Sequence, residues 1–218
     1  PENDHAKYNG SLSLLALQEW AEAWDWYRES IGSKERIERF YGDHVKRWDG
    51  TPADGLVVYT EQGLGDEIIF ASMFADVLRD NKGVVIECTK KVEGLFRRSF
   101  PDATVYGTRP AKHSEDDWLT WPPGHNLTAK IEAGGLGELY RRDKNDFPKS
   151  PFLRPDPLRR TQWRALLDTL PKKPNIGIAW HAGKVKTKGG ERSLNLEDLL
   201  PVLKYDANWI SLEYSVFD

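Results

Sequence analysis

Two stretches of this chain place residue types where chemistry would need them. The first is Glu61-Gln62-Gly63-Leu64-Gly65-Asp66-Glu67. It follows the short apolar, β-branched run Leu56-Val57-Val58-Tyr59-Thr60 and precedes Phe70, Phe74, Val77 and Leu78 at helical spacing, so it reads as the loop between a strand and its helix. Open parallel sheets bind ligands there, outside the carboxyl ends of the strands. Gly63 and Gly65 suit a tight turn, and the same missing Cβ would let a ligand approach the backbone. Asp66 has two readings. As a helix cap its carboxylate would satisfy free amides of the next turn; as a general base it would take a proton from an attacking hydroxyl.

The second stretch is His181-Ala182-Gly183-Lys184-Val185-Lys186-Thr187-Lys188-Gly189-Gly190-Glu191-Arg192-Ser193, directly after a predicted strand over Asn175 to Trp180. Four Lys or Arg and three Gly suit an anion. Flexible backbone can turn amides inward, and the cations can neutralise a diphosphate leaving group as its charge develops. A solvated loop would have the same composition.

A dinucleotide fingerprint is rejected at the first loop. It would need a third glycine where Ile68 stands, and Glu61, Asp66 and Glu67 would repel a pyrophosphate at the helix start. Glu87 lies where such a site would want a ribose-binding acid, but it reads as a strand-end carboxylate. His5, His44, His113 and His125 lack metal-ligand spacing, and no metal is expected. Cys88, the single cysteine, lies in an apolar strand with no activating partner and reads as an inert buried thiol.

The elements that must position these residues form an α/β pattern. Strand 56–60, a helix from Asp66 to Asp80 and strand 84–88 make a βαβ unit of a parallel sheet. A helix near 92–100 and a strand near 103–106 continue it, and 107–150 reads as irregular. A helix over 157–170, the strand at 175–180, a helix near 196–203 and a strand at 209–212 read as the start of a second domain. Upstream, Tyr8, Leu12, Leu15 and then Trp20, Ala23, Trp24, Tyr27 predict a helical hairpin. The charged stretch 32–54, ending Trp48-Asp49-Gly50-Thr51-Pro52, reads as a linker.

Composition excludes some classes. With 31 Lys+Arg against 34 Asp+Glu and a pI near 6.0, no basic field invites nucleic acid. Nine Trp and eight Tyr would suit carbohydrate, but rings serve cores equally well. No apolar run approaches the ~18 residues of a membrane span, and the N-terminus lacks the order of a signal peptide. With one cysteine, the expected setting is the cytoplasm. The chain begins at Pro1 and its only methionine is Met73, so a piece of something longer is expected.

The stretch from Tyr59 to Ala71 resembles the opening of the glycosyltransferase-like domain in bacterial tetratricopeptide-repeat proteins, related to the heptosyltransferase family. Further resemblance lies in Phe152-Leu153-Arg154-Pro155-Asp156, Gly177-Ile178-Ala179-Trp180 and Arg192-Ser193-Leu194, and Tyr8 to Tyr27 looks like one such repeat. It implies a GT-B-like architecture: a repeat-like hairpin and linker over 1–54, a Rossmann-like acceptor-side domain over 55–156, and an interdomain helix with the truncated start of a nucleotide-sugar-binding domain over 157–218. It further implies an inverting transferase with Asp66 as base, Gln62, Gly63, Leu64 and Gly65 at the substrate, and His181, Gly183, Lys184, Lys186, Arg192 and Ser193 at the nucleotide-sugar. The donor would be a substrate, with no cofactor, and the acceptor a sugar or protein. A non-catalytic repeat-linked binding or scaffold module, with a protein partner reached through upstream repeats, is the alternative. His181-Ala182-Gly183 departs from the Ser or Arg followed by Gly that relatives show after the Trp.

Overall fold

The computed structural model describes residues 4–34, 36–109, 125–181 and 193–213. Two compact units divide the chain, Pro1–Pro155 and Asp156–Asp218.

The first unit is an α/β structure on a parallel sheet. Its strands are β1 (Lys46–Arg47), β2 (Leu56–Tyr59), β3 (Val85–Thr89), β4 (Thr104–Arg109) and β5 (Ala129–Glu132), in the spatial order β1-β5-β2-β3-β4. Every residue of β2 and β3 is buried, as central parallel strands covered on both faces must be. On one face Leu56, Val58, Ile86, Cys88, Val105 and Ile131 meet residues of α3 (Leu64–Phe70), α4 (Phe74–Asp80) and α5 (Lys90–Ser99). Phe74, Phe96 and Phe100 interlock there edge to face, with centroids 5.3 to 5.9 Å apart. The single helix expected over Asp66 to Asp80 is broken by a 3₁₀ turn at Ala71–Met73. The stretch read as irregular holds β5 and α6 (Leu136–Tyr140).

The opposite face is covered by the stretch read as a linker. Val45 joins Val57, Val85 and Leu127 in a second apolar cluster, with Tyr41 and Tyr106 against it. Tyr41 lies tilted against Tyr59 and donates its hydroxyl to Glu87, and Lys130 Nζ donates to the Arg39 carbonyl and to Glu38. Residues 36 to 45 therefore form a strap, and β1 follows it into the sheet. The linker reading fails because Arg36, Glu38, Arg39 and Arg47 of this segment find partners on the sheet and at its carboxyl end instead of water. The hairpin, α1 (Asp4–Ala16) and α2 (Trp20–Glu29), seats Trp24 on Gly137, where any Cβ would overlap the indole.

In the second unit α7 (Pro157–Asp168) is capped by Asp156, which accepts from Arg159 N at 3.0 Å, and Pro157 starts its first turn. β6 (Asn175–Ile178) pairs in parallel with β7 (Asn208–Ser211), and α8 (Leu200–Leu203) continues a 3₁₀ turn at Leu196–Leu199.

Candidate functional site

Because β5 lies beside β2, the chain reverses its direction of progress across the sheet between them. Such a switch point is where an open parallel sheet holds its ligand. Here the chain fills it. Glu61 extends from β2 and Glu132 ends β5, both buried, and Arg36 reaches between them at 3.0 and 3.8 Å. Its guanidinium lies 3.7 Å over the Tyr27 ring and donates to the Tyr27 carbonyl. Arg47 adds ion pairs to Glu132 at 2.8 Å and Glu138 at 3.1 Å. At Gly134 a Cβ would stand 2.6 Å from the Tyr27 ring and 2.8 Å from Glu61 Oε1, so only glycine lets the turn close. Burial pushes the Glu61 carboxyl up against the pull of Arg36, and Glu61 Oε2 lacks a hydrogen-bond partner.

The loop beyond Glu61 differs in detail from the sequence reading. Gly63, not Asp66, is the N-cap of α3; Asp66 stands at the third helical position, and its Oδ2 accepts from Gly63 N at 2.9 Å. This is the reciprocal half of a capping box, since a glycine cap has no side chain to complete the other half. Neither Gly63 nor Gly65 has a positive φ, and a Cβ at Gly65 would meet nothing within 4 Å. A Cβ at Gly63 would stand 3.1 Å from Asp66 Oδ2, so Gly63 leaves room for that carboxylate and Gly65 leaves open space; neither serves a strained turn. Leu64 is exposed. Of the three carboxylates in the motif, Glu61 and Glu67 are buried; Glu67 Oε2 accepts from Thr89 N at 3.1 Å.

Gln62 turns towards the hairpin. Tyr27 donates its hydroxyl to Gln62 Oε1, and Gln62 Nε2 donates to the Tyr8 oxygen at 2.9 Å. These groups border a mostly apolar cavity of about 270 Å³ walled by Tyr8, Trp24, Tyr27 and Phe70 together with aliphatic side chains such as Leu12 and Met73, and edged by Asp66. The four rings lie at centroid distances of 5.5 to 6.5 Å along the wall. Arg141 also lines the cavity. Gln62 and Asp66 are thus brought together, with partners that sequence reading had placed only on a helical apolar face. Tyr8, Trp24 and Tyr27 carried a periodicity signal; Arg36 carried none.

In the second stretch, His181 and Ser193 are described, while Gly183, Lys184, Lys186 and Arg192 lie outside the described residues. The amides of Trp180 and His181 both donate to Glu213 Oε1, at 2.6 and 2.9 Å. They hold its carboxyl below the usual glutamate range. A carboxylate of the chain itself thus occupies amides that a bound anion would use.

Glu87 is a buried carboxylate, with Tyr41 and Thr108 donating to it and Arg39 2.6 Å away. Burial pushes it up. Burial likewise pushes up the thiol of Cys88, which lies 3.6 Å from the Tyr106 carbonyl. No group of three His, Cys, Asp or Glu among the described residues could hold a metal, and no described helix is long and apolar enough to cross a membrane.

No family model matches the chain, and no solved structure matches it. It is similar to Protein FlbA of Caulobacter vibrioides, 30% identical over 185 residues that cover 80% of this chain and 31% of that protein. The chain therefore spans less than a third of the length of this curated relative.

Proposed function

We propose that the chain supplies the acceptor side of a GT-B glycosyltransferase-like protein, with 157–218 beginning the nucleotide-sugar side and the loop 181–193 meeting the diphosphate. An acceptor hydroxyl gives its proton to Asp66 and attacks the anomeric carbon of the nucleotide-sugar. The bond to the diphosphate breaks with inversion, and the nucleotide carries away the electron pair. The observation that carries this reading is the aromatic cavity edged by Asp66 at the carboxyl end of the sheet. Asp66 commits Oδ2 to the Gly63 amide and keeps Oδ1 for a proton. The heptosyltransferase resemblance at Gly65-Asp66 supports the same role, and the setting proposed is cytoplasmic.

The test is Asp66→Asn in protein that carries a whole second sheet. Asn retains the acceptor for Gly63 N but cannot take a proton as a carboxylate does. Sugar transfer should fall by roughly 10²- to 10⁴-fold with an unchanged melting temperature. Transfer at the parental rate would remove Asp66 from catalysis. One observation favours the second reading, a non-catalytic binding module: Arg36 and Tyr27 fill the switch point. Calorimetric titration with UDP-, GDP- and ADP-sugars separates the two, since only the transferase should bind a donor.

A further inference from the structure

The cavity also limits what it can hold, an inference that rests on the acceptor-side reading above. A cavity of about 150 Å³ takes up benzene. At about 270 Å³ this one has room for one substituted six-membered ring. Its polar groups have a set direction. Burial pushes the Tyr27 hydroxyl up, so it stays protonated and donates to Gln62 Oε1. That fixes the amide, Nε2 faces Tyr8, and the Tyr8 oxygen becomes an acceptor. The Tyr8 proton is then left over, with no acceptor for it among the described residues. Asp66 offers the complementary acceptor at the same cavity.

We infer that the cavity binds a single polyhydroxylated ring stacked on the hairpin's aromatic side chains, with Tyr8 orienting it by donating to one ring or hydroxyl oxygen while Asp66 accepts from a hydroxyl. The hairpin is then a wall of the acceptor site. An aromatic box with a carboxylate would also suit an alkylammonium ion. One feature opposes that occupant: Tyr8 presents a donor, which a cation cannot use, whereas Arg141, also on the lining, already has its charge paired with Asp76 at 2.8 Å.

The reporter is the Trp24 indole N–H, which donates to the Arg141 carbonyl at 2.8 Å beside the cavity. Nuclear magnetic resonance titrations of the whole chain use methyl pyranosides of gluco, manno and galacto configuration, tetramethylammonium chloride and N-acetyl-leucinamide. At least one pyranoside should shift the Trp24 indole, and Tyr8→Phe, which keeps the ring, should weaken that binding about five- to tenfold. In turnover the same variant should raise KM and leave kcat unchanged. A shift by tetramethylammonium or N-acetyl-leucinamide but by no pyranoside overturns the inference, as does a silent indole with all probes. Equal affinity in Tyr8→Phe overturns the role of Tyr8. Failure here is distinct from failure of the transferase reading. Loss of transfer in Asp66→Asn with a silent Trp24 leaves the base standing without this cavity, whereas pyranoside binding at Trp24 with full transfer in Asp66→Asn leaves the cavity without the base.

Discussion

The ends of β2 and β6 occupy equivalent places, each the first strand of a βαβ-like unit followed by a glycine-bearing loop, yet they are built differently. At β2 the loop is tied to residues far along the chain. Gln62 bonds to side chains 35 and 54 positions away, and Arg36 fills the space beside Glu61 and Glu132. At β6 the amides of Trp180 and His181 depend on one carboxylate just beyond the neighbouring strand β7, and α7 and α8 bury no side chain. Burial dictates the first geometry. A single carboxylate holds the second.

The contrast would break most visibly at Arg36. Arg36→Met leaves Glu61 and Glu132 buried without their shared cation, a loss of about 3–5 kcal/mol of stability in urea denaturation. The deficit should depend on pH with a definite sign. The folded carboxyl of Glu61 is raised above its unfolded value, roughly 4.3, so its contribution is full below that value and is lost as pH rises through the folded pKa. Removing Arg36 raises it further, and the deficit at pH 7 should shrink as pH falls towards 5. An equal deficit at both pH values would show that Glu61 is not the charge responsible.

A smaller effect is expected under the strap. Tyr41→Phe keeps the ring on Tyr59 but takes one donor from the buried Glu87, which retains Thr108 and Arg39. The cost should be about 1–3 kcal/mol by thermal or chemical denaturation. No change would mean that water replaces the phenol and that the strap covers the face less tightly than described.

The smallest effect belongs to the second unit. Glu213→Gln should leave denaturation of the first unit unchanged. Its readout is the amide resonances of Trp180 and His181, which in the parent should titrate below the ordinary glutamate value of roughly 4.3. The stabilisation by Glu213 is present above that unfolded value and lost as pH falls through the lowered one. In the variant the titration should vanish. Persistence of it would place another acid at those amides.

What could be read from sequence follows the same division. The βαβ unit was legible because Val57, Val58, Val85 and Ile86 form uninterrupted apolar runs, and the hairpin because its rings recur at helical spacing. β5 was not, since Ala129-Lys130-Ile131-Glu132 alternates like a half-exposed strand. Lys130 and Glu132 are nonetheless buried, through Glu38, Arg36 and Arg47, more than eighty positions away. Arg36 looked solvated for the same reason: charge type says nothing of a distant partner. At the candidate site Gln62 and Asp66 were singled out by their place after a strand, whereas Tyr8 and Tyr27 looked like the apolar face of a helix. Their hydroxyls acquire meaning only once α1 and α2 stand against α3.

The seat of Trp24 on Gly137 bears on how such a chain can change over evolutionary time. A repeat joined to a neighbouring domain by a free linker can be duplicated, lost or exchanged by recombination without harm to that domain. Here the indole needs a residue without a Cβ 113 positions later, and its N–H needs the carbonyl of Arg141. A crossover between Ile31 and Leu56 that brought in a hairpin with another residue at this position would leave a hole over Gly137. A crossover between Tyr41 and Leu56 would also separate Arg36 and Tyr41 from the carboxylates they serve. The hairpin, the strap and the sheet can therefore be inherited only together.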